Sequence, residues 1–95
     1  MEGEPFDSFQ ARGLLRQVIS LGQLSFTKHA REEMGKDDLT RVDVTSVLRA
    51  GLVEFPPEWV GGSYRYRVRT NRMCVVVVFR SREQAVVVTA WRLKK

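Results

Sequence analysis

The sequence predicts an α+β domain, with two to three N-terminal helices packed on a four-stranded antiparallel sheet. Three observations carry that reading. Up to residue 51 the apolar residues recur at helical spacing between cap-type residues and glycines. Beyond it they alternate with polar residues or run together as valines, punctuated by Gly61-Gly62 and Asn71-Arg72. The chain, 95 residues, has one domain's length and shows no repeat, low-complexity tract or linker.

Asp7 or Ser8 can cap a first helix whose apolar positions are Phe9, Leu14, Leu15, Val18 and Ile19, with Gly22 placed to end it. Thr27 can cap a second. Phe26, Ala30 and Met34 lie four residues apart on one stripe there, and Gly35 closes it. Thr40 followed by Asp43 resembles a capping box for a third helix. Val44, Val47 and Leu48 form its buried face, and Gly51 ends it at the C′ position. A short strand over Leu52–Phe55 is cut off by Pro56-Pro57. Gly61-Gly62 makes a tight hairpin turn into a strand over Ser63–Thr70. Met73–Arg80 is nearly continuous valine, which predicts a central strand covered on both faces for most of its length. A last strand spans Ala85–Leu93.

Composition removes several function classes. Apolar residues make up 43% and charged residues 28%, close to globular averages and unlike disordered chains. The longest apolar run, Met73–Phe79, is far below the roughly 18 residues a membrane span needs. Glu2, Glu4 and Asp7 precede any apolar stretch, the reverse of a signal peptide. One cysteine forbids an intrachain disulfide, and with one histidine it cannot build a zinc cage unaided. A cytoplasmic protein with no membrane partner is expected.

The charge is segregated. Residues 1–62 hold seven basic and ten acidic residues, whereas residues 63–95 hold nine basic residues against Glu83 alone. Arginine dominates the basic half, and its planar fork suits phosphates and bases. Such asymmetry points to a polyanion, most simply nucleic acid; the alternative is a solubilising surface. Residues two apart on a strand share a face, so Arg65, Arg67 and Arg69 form one row with about 6.6 Å between neighbours.

His29 is the one side chain whose ordinary titration falls near neutrality. In the first turn of the second helix, the dipole disfavours its charged form and keeps the ring available as a base. The alternative is a surface histidine bonded to Glu33. Thr89 and Trp91 share a face of the last strand, with Arg92 one position along. Trp91 is either core or a base-stacking platform. Cys74 reads as a buried small hydrophobe and Asp37-Asp38 as a polar loop.

At these residues the chain resembles a family of small bacterial domains. Phe26-Thr-Lys-His29-Ala30-Arg-Glu-Glu-Met34 is similar to its His-Ala-x-x-Arg-Met opening. Asp38-Leu39-Thr40 resembles its Gly-Ile-(Ser/Thr) helix start; Leu48-Arg-Ala-Gly51 follows. Tyr66-Arg67-Val68 and Val87-Val88-Thr89-Ala90-Trp91 match its strand and its ending. The resemblance covers about residues 24–92 and departs from the pattern at Glu33, where arginine is expected, and at Trp91, where tyrosine is common. That family is similar to the RelE- and MqsR-like toxins of bacterial toxin–antitoxin pairs.

The resemblance implies a RelE-like fold and a ribonuclease that cleaves mRNA, in some cases on the ribosome, without metal or other cofactor. It implies a cognate antitoxin, in many cases with a zinc-ribbon domain. It makes His29 the opening histidine and Arg67 the strand arginine. Cleavage of this kind needs a base for the 2′-OH proton, cations for the developing charge and an acid for the leaving oxygen. His29 is then base or acid, Arg67 with Arg65 or Arg69 the phosphate clamp, and Thr89 a positioning group. Tyr66, Trp91 and Arg92 join Arg65 and Arg69 as expected RNA contacts. Strand alternation, however, sets Tyr66 and Arg67 on opposite faces unless a bulge intervenes. A non-catalytic module binding RNA or protein through the basic sheet is the alternative.

Overall fold

The computed structural model describes residues 1–93. The first helix, α1 (Ser8–Leu21), is capped by Asp7, whose carboxylate accepts from the Gln10 amide at 2.8 Å while the Gln10 side chain accepts from the Asp7 amide. Ala11, Leu14, Leu15 and Val18 form its buried stripe, and the Gly22 amide closes it on the Val18 carbonyl. A side chain at Gly22 would lie 2.1 Å from the Glu83 carbonyl oxygen. Only glycine lets the chain pass there into β1 (Gln23–Phe26), a short strand that the sequence reading leaves out.

α2 (Lys28–Lys36) starts at Thr27, whose hydroxyl accepts from the Ala30 amide. It runs past Gly35, the residue expected to close it. Asp38 supplies the left-handed turn instead, at φ 54°, and the Leu39 amide reaches back to the Met34 carbonyl at 2.9 Å. Aspartate tolerates this conformation better than most residues, so the glycine is not needed. α3 (Arg41–Ala50) carries the expected Thr40/Asp43 capping box and buries Val44, Val47 and Leu48. Gly51 is extended rather than left-handed. Its lack of a side chain serves close approach, because a Cβ would meet the Val47 carbonyl oxygen at 2.6 Å.

The sheet is not the four-stranded antiparallel one expected, although β2 (Leu52–Val53), β4 (Ser63–Arg69), β5 (Met73–Phe79) and β6 (Gln84–Arg92) pair antiparallel within it. β3 (Glu58–Val60) pairs with β4 across Gly61-Gly62, both at positive φ, and β1 pairs in parallel with β6. The result is a six-stranded mixed sheet, ordered β1-β6-β5-β4-β2 with β3 beside β4.

The helices cover one face. There Leu15, Val18, Val44 and Leu48 pack with Tyr66, Val68, Met73, Val75, Val77 and Phe79 in the core. Among the described residues no helix is long and apolar enough to cross a membrane.

The last strand breaks its own period. Val76 pairs with Thr89 but Val77 pairs with Val87, which leaves Val88 as an extra, bulged residue. Ala85 and Val87 face the helices; beyond the bulge Ala90 takes over that side and Thr89 and Trp91 turn to the other.

Candidate functional site

The face of the sheet away from the helices carries the candidate site. Its floor is Cys74, Val76 and Val78 on β5, all buried although no helix lies over them. The cover comes from side chains of the flanking strands, arginine stems on one side and Thr89 with Trp91 on the other. The register pairs Arg67 with Val76 and Val76 with Thr89, and likewise Arg69 with Cys74 and Cys74 with Trp91. At the centre the Arg67 guanidinium stands over the Trp91 ring, 5.7 Å from its centroid. Trp91 is therefore a half-buried platform on the arginine face and not part of the helix-side core.

The arginine row is formed but is not purely positive. Arg69 forms an ion pair with Glu54, 2.7 Å from Nε to the carboxylate oxygen, and Glu58 on β3 stands directly opposite Arg65. Arg65 is half-buried, with an Nε that has no hydrogen-bond partner among the described residues. Arg67 is exposed and makes no ion pair among the described residues. The two glutamates are the residues the sequence reading missed. Counting back from the Gly61-Gly62 turn would have set Glu58 against Arg65.

Two expected contacts lie elsewhere. Tyr66 is fully buried on the helix side, accepting from the Phe6 amide and donating to a Glu4 carboxylate, each at 2.9 Å. Burial pushes its phenol well above the usual range. The bulge lies in β6 and not in β4, so it leaves Tyr66 pointing away from Arg67. Arg92 pairs in register with Met73, which puts it on the helix side as well. Its guanidinium caps the end of α2, donating to the Asp37 carbonyl at 2.8 Å, and its amide donates to the Asp37 carboxylate. Both residues hold the fold together and neither faces the arginine row.

His29 lies in the first turn of α2, whose start is docked on β6 at the bulge. The Thr27 amide donates to the Val87 carbonyl at 3.0 Å and its hydroxyl to the Val88 carbonyl at 3.2 Å. These two bonds dock the start of α2 on β6 immediately before Thr89. His29 is exposed, and helical spacing sets it on the opposite flank of α2 from Arg31. The bond to Glu33 that the alternative reading requires is not among the hydrogen bonds of the described residues. Glu33 accepts from Lys36 at 2.8 Å, and that bond, with a smaller electrostatic contribution from His29, holds its carboxyl below the usual range. Among the described residues no three His, Cys, Asp or Glu side chains lie close enough to share a metal ion.

From Phe26 to Arg92 the chain matches a family described as a domain of unknown function, DUF4258. The chain belongs to that family. The DUF4258 span takes in His29, Arg67, Thr89 and Trp91 together with the bulge, and leaves α1 outside. No curated protein and no solved structure matches the chain.

Proposed function

We propose that the protein is a metal-independent endoribonuclease of the toxin type, RelE-like in plan, acting on single-stranded RNA laid across the open sheet face. The observation that carries this reading is the bulge at Val88, which turns Thr89 and Trp91 towards Arg67 and, through Thr27, receives the start of the helix that carries His29. A base stacks on Trp91, and Arg67 holds the adjacent phosphate. His29 takes the ribose 2′-OH proton as that oxygen attacks phosphorus and the bond to the 5′ oxygen breaks. The products are a 2′,3′-cyclic phosphate and a 5′-hydroxyl, the latter receiving a proton from water or from the imidazolium. Thr89 orients the phosphate. In the cell this activity is held in check by a cognate antitoxin, with a zinc ribbon as its expected companion domain, and the protein works in the cytoplasm on mRNA.

Cleavage of a single-stranded RNA by purified protein, with and without translating ribosomes and with excess chelator, tests the proposal. The wild type should cut in chelator. His29→Ala and Arg67→Ala should each lose about 10²-fold or more, the usual contribution of a proton-transfer or charge-stabilising group. Chelator-sensitive cutting indifferent to His29 would overturn it.

A non-catalytic RNA-binding module is the second reading. It is favoured by the burial of Tyr66, which removes that phenol as a proton-transfer group on the face. In that case RNA is bound, with the same dependence on Arg67, and never cut.

A further inference from the structure

We infer that a hollow at the edge of the sheet, between β1 and the helices α2 and α3, binds an acidic, leucine-rich segment of a protein partner. It is separate from the arginine face and does not rest on the ribonuclease reading. The hollow has a volume of about 380 Å³ and is lined by Leu24, Ser25, Phe26, Arg31, Met34 and Arg41.

The polar groups that border it are donors, apart from the Ser25 hydroxyl. Arg41 donates to the Leu24 carbonyl at 2.8 Å and Arg31 to the Phe26 carbonyl at 3.4 Å, so the outward carbonyls of this edge strand are already occupied. The Gln23 and Thr27 amides point inward, to Glu83 and Val87. By the alternation of a parallel ladder the Leu24 and Phe26 amides point outward. Each guanidinium has five N–H groups and keeps most of them free. No carboxylate pairs with Arg31 or Arg41 among the described residues.

Charge complementarity therefore asks for an anion, and the rest of the hollow narrows it. Arg41 is held in place over the Phe26 ring, 5.0 Å from its centroid, so its fork is preorganised for a carboxylate. The remaining floor, Leu24 and Met34, is aliphatic and thioether and suits a branched apolar side chain. Outward amides on an edge strand donate to the carbonyl oxygens of an extended peptide. An extended peptide that alternates carboxylates with leucines satisfies all three features.

Titration of the isotope-labelled full chain, followed by amide chemical shifts, tests this. The probe is a capped hexapeptide alternating aspartate and leucine; its lysine counterpart, inorganic phosphate and an oligouridylate serve as comparisons. The aspartate peptide should move the Leu24 and Phe26 amides, and Arg31→Glu should weaken its binding at least about tenfold. Arg31 is exposed and its tie to the strand, 3.4 Å to the Phe26 carbonyl, is longer than the 2.8 Å tie of Arg41 to Leu24, so this variant disturbs the fold less than Arg41→Ala. Arg67→Ala should leave the affinity unchanged. The inference is overturned if the aspartate peptide moves neither amide, if Arg31→Glu binds it as well as the wild type, or if phosphate or the oligonucleotide occupies the hollow in its place.

Discussion

Arg67 and Trp91 meet across a strand that belongs to neither of them: the guanidinium lies 5.7 Å from the indole centroid, over β5. They meet because Val88 is bulged. With a regular period, Trp91 would share the side of Val87 and point into the helices. One extra residue in β6 thus decides whether the open face carries an aromatic platform beside Arg67.

The pair should dominate RNA binding. Arg67→Ala and Trp91→Ala are each expected to weaken binding of a single-stranded oligonucleotide about tenfold or more by fluorescence anisotropy. Arg67→Ala should also flatten the salt dependence by about 0.7 log units per log unit of salt. Arg69→Ala should cost less, because Glu54 already neutralises that arginine. Equal losses at Arg67 and Arg69 would contradict the geometry.

Tyr66 separates stability from binding. Tyr66→Phe leaves the buried Phe6 amide and the Glu4 carboxylate without their partner. Urea denaturation should show a loss of about 1–3 kcal/mol, with RNA affinity unchanged. A weaker RNA affinity at full stability would return Tyr66 to the site.

Stability should decline in alkaline solution. Burial pushes the Cys74 thiol and the Tyr66 phenol above their ordinary values. The unfolded chain therefore releases both protons first as pH rises, at about 8.5 for a thiol and about 10 for a phenol. Stability from these groups is fully present below those values and is lost above them. Between about pH 8.5 and 10 the wild type should lose stability with pH more steeply than Cys74→Ala, as urea midpoints taken across that range would show.

Two glycines should respond in opposite directions. Gly22→Ala sets a methyl against the Glu83 backbone and should destabilise by about 1–3 kcal/mol or more. Gly13→Ala, on the exposed side of α1 with nothing within 4 Å, should stabilise by up to about 1 kcal/mol. Thermal midpoints falling for both would show that close approach is not what selects Gly22.

Local chemistry made much of this fold legible. The caps at Asp7, Thr27 and Thr40 and the Gly61-Gly62 turn depend on residues within a few positions of one another, and each stands where the sequence sets it. What escaped is non-local. β1 is four residues long with one buried side chain, and its partner lies at the far end of the chain. The bulge leaves no mark on the Val87-Val88-Thr89 run, because valine suits either face. Alternation did show that Arg65, Arg67 and Arg69 share a side; it could not show Glu54 reaching Arg69 or Arg92 turning to Asp37.

RNA end-mapping in bacteria producing the wild type or His29→Ala, both folded and equally abundant, tests the ribonuclease proposal most directly. His29 is exposed and contributes nothing to the core, so its replacement should leave the fold intact. New 5′-hydroxyl ends and growth arrest with the wild type alone are the predicted result. Identical end profiles for the two proteins would contradict the proposal and leave the face of Arg67 and Trp91 as a binding surface.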